Sequence, residues 1–294
     1  MGWLKPEIVL LLGASFWGLG WIPLDHLAGQ GLAGMPVVLY TYGLLCLVAL
    51  PILVVQRRAW WPQRRALAVI CLCGGWATAG LVGALSEGDV VRAMLLFYLA
   101  PVWALLGGWL LLGERLSFVR VGALLLAMSG IALTLGVSAE TFRPLTASDW
   151  LALSAGLAFA FNNLATRAAD QVPIASKAVV AFLGAALLGG LFCLQQQVAL
   201  PPMSAGLWLQ ILLFGGFWLI AMSAAQYGFS HVETSRAAVL VVIELVVAVL
   251  TAAWLGEREL GLREWCGGAL VLFAALLAER PSRASSTKLC EAKP

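Results

Sequence analysis

The sequence predicts an all-α polytopic membrane protein, ten transmembrane helices arranged as two inverted five-helix repeats with both termini in the cytoplasm. Three observations lead there. Of 294 residues, 62% are hydrophobic and only 11% are charged, whereas a soluble domain carries about a quarter charged residues to cover its surface. Apolar runs of about twenty residues, the length that crosses a bilayer core of about 30 Å, recur along the whole chain. Finally, one stretch occurs twice. Residues 92–115 read RAMLLFYLAPVWALLGGWLLLGER and residues 236–258 read RAAVLVVIELVVAVLTAAWLGER. Upstream, Gly74-Gly75-Trp76 matches Gly215-Gly216-Phe217. Downstream, Gly122-Ala123-Leu124 lies on Gly268-Ala269-Leu270.

The apolar segments fall at 7–25, 34–55, 66–86, 90–112, 116–136, 148–168, 174–194, 206–229, 235–255 and 261–279. The first, Ile8 to Ile22, has no small-residue cleavage pattern after it and reads as one helix among many rather than a signal peptide. Loops are short, and the polar tail 281–294 reads as a cytoplasmic extension. Basic residues set the orientation. With the N-terminus inside, only Arg92, Arg143, Arg258 and Arg263 lie outside, while the other fourteen of the 18 basic residues, including Arg57, Arg58, Arg64, Arg65 and Lys177, lie inside. Five helices per half is an odd number, so the second half enters from the opposite side. The expected units are 1–147 and 148–280. Inverted repeats of this kind are frequent in secondary transporters, with the substrate site near the midplane between them.

Several function classes are excluded. The basic residues sit in short loops and form no nucleic-acid patch, and no nucleotide-binding motif is present. Cys46, Cys71, Cys73, Cys193 and Cys266 lie in apolar runs and Cys290 in the tail, so they form no disulfide framework. Cys71 and Cys73 are two apart and point to different helix faces, against a metal or redox pair. The two histidines, His26 and His231, sit near opposite boundaries, which argues against a metal-dependent membrane enzyme. No cofactor and no metal are expected. The expected partners are a small-molecule substrate and the lipid bilayer. The oligomeric state is not readable.

Candidate cavity residues are the polar and aromatic side chains set deep in apolar runs. Trp17 and Trp21 share one face of the first helix. Tyr40, Thr41 and Tyr42 follow in the second, Trp76 and Thr78 in the third, and Tyr98 and Trp103 in the fourth. Trp218, Gln226 and Tyr227 lie in the eighth. Trp60, Trp61, Trp150, Trp208 and Trp265 sit at helix ends, where tryptophan anchors a helix at the interface. Asn162-Asn163 is an amide pair inside an apolar run. An unsatisfied amide in hydrocarbon costs several kcal/mol, so at least one faces the interior, toward a substrate or a neighbouring helix. Glu244 is the one carboxylate near the middle of a span, with no lysine or arginine at the same depth. It faces water or a partner, or is a protonated structural acid. Arg92 and Arg236 begin equivalent helices beside Glu87, Asp89 and Glu233, as snorkelling anchors or as symmetric latches.

Ser15-Phe16-Trp17-Gly18, Leu99-Ala100-Pro101-Val102-Trp103-Ala104, Leu112-Gly113-Glu114, the glycines of the fifth helix at Gly122 and Gly130, and the second-copy Leu255-Gly256-Glu257 together resemble the drug/metabolite transporter superfamily, in its ten-helix EamA type. The resemblance covers about residues 8–280. It implies a transporter of the bacterial inner membrane without enzymatic activity, similar to the amino-acid exporters, including those for aromatic amino acids. It also places Asn162 near the counterpart of Gly20, where such proteins build their cavity. The chain departs from the family at one point: Pro101 is kept, but Glu244 stands at its counterpart in the second copy. A helix kink is therefore expected in the first half only, with a less symmetric mechanism.

The expected function is export of small amphipathic metabolites, foremost amino acids, by alternating access. The candidate lining is Trp17, Trp21, Tyr42, Trp76, Tyr98, Trp103, Asn162, Asn163, Tyr227 and Glu244. The absence of mid-membrane Arg and Lys argues against phosphorylated substrates. A non-transporting receptor or scaffold, or transport of other metabolites or drugs, is the alternative.

Overall fold

Proline and glycine divide the apolar runs into helices at sites the local chemistry dictates. The computed structural model describes residues 5–137, 144–255 and 260–279. Within these residues the structure is helical, without a strand. The first run gives α1 (Pro6–Leu19) and α2 (Trp21–Gly29), broken at Gly20. Pro23 lacks an N–H and its ring would clash with the carbonyl four residues back, at Leu19, where α1 ends. Next come α3 (Met35–Val55), the short α4 (Arg57–Trp60) and α5 (Arg64–Glu87). The first copy of the repeated stretch gives α6 (Val90–Phe97) and α7 (Ala100–Leu112), and α8 (Phe118–Leu135) completes the first half.

The second half follows the same plan. It comprises α9 (Ala147–Ala168), α10 (Ile174–Gln195), α11 (Ala205–His231), α12 (Thr234–Val241), α13 (Ile243–Trp254) and α14 (Leu262–Glu279). Eight helical stretches among the described residues are long and apolar enough to cross a membrane. Of the remaining long helices, α9 carries Asp149, Asn162, Asn163 and Arg167, and α14 carries Arg263, Glu264 and Glu279. The chain is a polytopic, all-helical membrane protein.

The expectation that only the first half would kink is corrected. The first copy breaks after Phe97, one helical turn before Pro101, whose ring excludes the Phe97 carbonyl. The second copy has no proline, yet α12 stops at Val241 and Val242 turns tightly, with Val242 N–H donating to Val239 O at 3.3 Å and Leu245 N–H to Val242 O at 3.1 Å. Close packing accompanies both breaks. α1 crosses so closely that a Cβ on Gly18 would sit 2.4 Å from the Glu244 carbonyl oxygen, just after the second break, and a Cβ on Gly156 of α9 would sit 2.5 Å from Phe97 O, just before the first. α6 and α12 have 8 residues each, so the one-residue difference between the copies falls at or after the break.

Packing partners come in matched pairs. α5 lies along α9, and α1 along α11; α7 crosses α9, and α1 crosses α13; α3 meets α10, and α8 meets α14. Ion pairs are matched as well. Arg92, opening α6, meets Asp149 of α9 at 3.0 Å, and Arg236, in α12, meets Glu7 of α1 at 2.9 Å. Each of the two pairs joins a broken helix to the first helix of the other half. Asp149 also closes the N-terminus of α9 in a capping box with Thr146. Gly113 ends α7 in the left-handed conformation (φ 66°), and Glu114 then turns to accept from Thr234 N–H at 2.7 Å and Ser235 N–H at 3.3 Å, capping α12. Its counterpart Glu257 lies outside the described residues, as do Gly256, Arg258, Arg143 and the tail 281–294.

Candidate functional site

A cavity of about 400 Å³ opens between the two halves. It is walled by α1, α2, α3, α5 and α6 from the first half and by α9, α10, α11 and α13 from the second. The walls are largely apolar, with Phe97, Phe159, Phe214, Phe229, Trp218, Met94 and Met222 among the lining side chains. That composition suits a ligand pocket, in which a few polar groups orient a largely apolar guest.

The polar groups are few. Trp17, Trp21, Tyr42, Tyr98, Asn162 and Glu244 all reach the cavity. Glu244 accepts a hydrogen bond from the Tyr98 hydroxyl at 2.9 Å, so two broken helices present their polar side chains to each other at their breaks. Asn162 is buried. Its amide nitrogen donates to Asn163 Oδ1 at 3.2 Å, while its own carbonyl oxygen has no partner among the described residues. Trp17 Nε1 and the buried Thr41 hydroxyl are likewise unpartnered and belong to the same cavity wall. All three atoms are buried in the wall rather than exposed to the cavity, and Trp103 Nε1, away from the cavity, is unpartnered in the same way. Trp21 instead donates to Thr251 Oγ1 at 3.0 Å, and Tyr42 accepts from Trp218 Nε1.

Asn163, Trp76, Trp103 and Tyr227 lie elsewhere. Asn163 lines a side recess of about 10 Å³, room for about one water, together with Tyr98, Pro101 and Glu244. Trp76 turns away from the cavity, donating to Ser154 Oγ at 3.0 Å and packing on Phe192. Trp103 packs among Ala104, Ala160 and Ala238. Tyr227 stacks on His231 with ring centroids 4.3 Å apart. Thr41, Thr78, Trp218 and Gln226 do line the cavity. They were visible as polar or aromatic residues in apolar runs, but nothing in such runs fixes which face turns inward.

The end of the cavity nearest the basic loops is sealed. Below Gln226, the Thr166 hydroxyl donates to Gln226 Oε1 at 3.1 Å. Lys177 Nζ donates to Thr166 O at 2.8 Å and to Ser230 Oγ at 2.9 Å, and Arg167 donates to Ser230 O at 2.7 Å. This layer ties α9, α10 and α11 together. Lys177, which reads from sequence as a loop cation, is only 1% exposed; its ammonium is satisfied by neutral oxygens. Beside this layer, α5 and α10 touch backbone to backbone at Gly75 and Gly184. Gly216, the sequence counterpart of Gly75, has nothing within 4 Å of the position of a Cβ. At the other end the lining extends to Leu24, Val37 and Leu85.

The comparisons with known proteins agree with this architecture. The EamA-like transporter family model matches twice, over residues 4–136 and 146–279. A protein of Archaeoglobus fulgidus described as an "Uncharacterized transporter" is 28% identical over 229 residues, 74% of this chain and 77% of that one. A protein of Streptantibioticus cattleyicolor described as a "Probable terminal-alkyne amino-acid exporter" is 27% identical over 265 residues, 86% of each chain. A solved structure aligns with a TM-score of 0.74 at 18% identity, across 93% of this chain and 95% of its own, and so shares the fold. With the family model covering nearly the whole chain in two consecutive matches, this protein belongs to the EamA-like transporter family.

Proposed function

We propose that the protein exports small amphipathic metabolites, foremost amino acids, across a bacterial inner membrane by alternating access between two inverted repeats. The observation that carries this reading is the cavity itself. It lies between the halves, has apolar walls and a carboxylate, and is sealed at the end beside the basic loops. The matched packing of α5 on α9 with α1 on α11 supports an exchange of the two halves. The paired family match supports units at 1–147 and 148–280, and the printed name of the Streptantibioticus relative supports an amino-acid substrate. All ten helical passages cross the bilayer on this reading. α9 and α14 cross because their polar groups are spent inside the bundle or at its ends. On the same reading, with the basic loops in the cytoplasm, this conformation would be the outward-open one.

Two measurements test this. Purified protein in liposomes accumulates labelled aromatic and aliphatic amino acids above protein-free vesicles. No uptake of any amino acid, in either direction of gradient, overturns the reading. Single cysteines placed at Arg64 and at the exposed Leu145, in a background without the six native cysteines, react with an impermeant maleimide from opposite sides. Labelling of both from one side overturns the topology.

A further inference from the structure

The charge inside the cavity is one-sided. Glu244 is the one carboxylate among the described lining residues, and these include no Lys, Arg or His. A carboxylate offers about four acceptor positions, and Tyr98 uses one of those on Glu244. The unpaired donors, Trp17 Nε1 and the Thr41 hydroxyl, are neutral. Lys177 is buried, but Thr166 and Ser230 hold it, and Thr166 in turn bonds Gln226 of the cavity wall.

We infer that this cavity recognises the ammonium group and the apolar body of its ligand, and offers no charge partner to a carboxylate. Its substrate class is the amphipathic primary amine, of which an amino acid is one member. The inference rests on the transporter reading and narrows it. Charge balance decides between ligand types. A monocationic amine neutralises Glu244 and leaves the occupied cavity without net charge. A zwitterion brings a second carboxylate, for which the described lining offers no cationic partner. Glu244 accepts from the ammonium, and the rings of Trp17 and Trp218 attract a cation besides packing against its apolar body.

Binding is measured by tryptophan fluorescence or calorimetry on the full-length protein in lipid nanodiscs. The ligands form a matched set: phenylalanine, its methyl ester, 2-phenylethylamine, 3-phenylpropionate and the uncharged 3-phenylpropanol. The amine and the ester bind at least as tightly as phenylalanine, and 3-phenylpropionate binds weakest. Glu244→Gln weakens the amine by about tenfold and leaves 3-phenylpropanol unchanged. Tighter binding of phenylalanine than of the amine, or amine affinity unchanged in Glu244→Gln, overturns the inference and leaves the exporter reading standing. Absence of binding by every member of the set, together with absence of amino-acid uptake in liposomes, overturns both.

Discussion

Replacing Glu244 by glutamine raises the apparent substrate constant for transport at least about tenfold, or about 1.4 kcal/mol. Glutamine keeps the volume and still accepts from the Tyr98 hydroxyl, so the helix break and the cavity wall survive. What disappears, on the proposed reading, is the carboxylate's charge at the cavity wall, and with it a charge-assisted hydrogen bond to a substrate ammonium. The packing around Glu244 sharpens the test. Tyr98 is the titratable side chain against it; Asn163 and Phe159 face it from α9, and the Gly18 backbone from α1. If Glu244 also passes a proton during the cycle, the pH dependence of transport flattens in Glu244→Gln, whereas Tyr98→Phe, which removes the hydroxyl but not the carboxylate, keeps it. A role in substrate contact alone raises the constant at every pH. Wild-type kinetics and pH profile in Glu244→Gln would make this residue a buried structural acid and remove it from the site.

The course of the chain was legible because a bilayer leaves few choices. Runs of about twenty apolar residues must be helices, since no water is present to satisfy the backbone otherwise, and the described helices begin and end within a few residues of those runs. The break before Pro101 had a signal in sequence. The break at Val242 had none: the second copy carries no proline there, and α1 packs at Gly18 against Glu244 just past the break. The cavity residues were legible in kind and only partly in position. Trp17 and Trp21 both reach the cavity, though from α1 and α2 on either side of the break at Gly20 rather than from one helix face, and Glu244 and Asn162 are too costly to bury in lipid. Trp76 and Trp103 looked equivalent to them, yet a helix that is apolar all round does not announce which face meets the bundle. Trp76 satisfies its N–H on Ser154, and Trp103 wedges among alanines. Lys177 was hidden for a different reason. It stands in the first turn of α10, where a cation reads as a loop marker, and only the approach of Ser230 from α11 shows that it is internal.

Gly184→Ala is the substitution expected to cost the most stability. A Cβ there would stand 1.8 Å from the Cys71 carbonyl oxygen, and one on Gly75 would stand 2.4 Å from the Gly184 carbonyl carbon. Both obstacles are backbone, so no side chain can swing aside. α5 and α10 must separate, losing the contacts that small residues permit between membrane helices. Overpacking of this kind costs about 3 kcal/mol, which at roughly 2 °C per kcal/mol for a chain this size lowers the melting temperature by about 6 °C. Gly216→Ala supplies the contrast. With nothing within 4 Å of its Cβ position, it leaves the melting temperature of this conformation unchanged. If the halves exchange conformations, though, Gly216 comes to occupy the crowded position that Gly75 holds here, and its methyl group then hinders the return of the cycle. The expected pattern is a destabilised Gly184→Ala protein beside a thermally normal Gly216→Ala protein that transports more slowly. A Gly216→Ala protein with wild-type turnover would show that the α3–α11 contact never closes as α5–α10 does, and would remove the symmetric exchange from the mechanism.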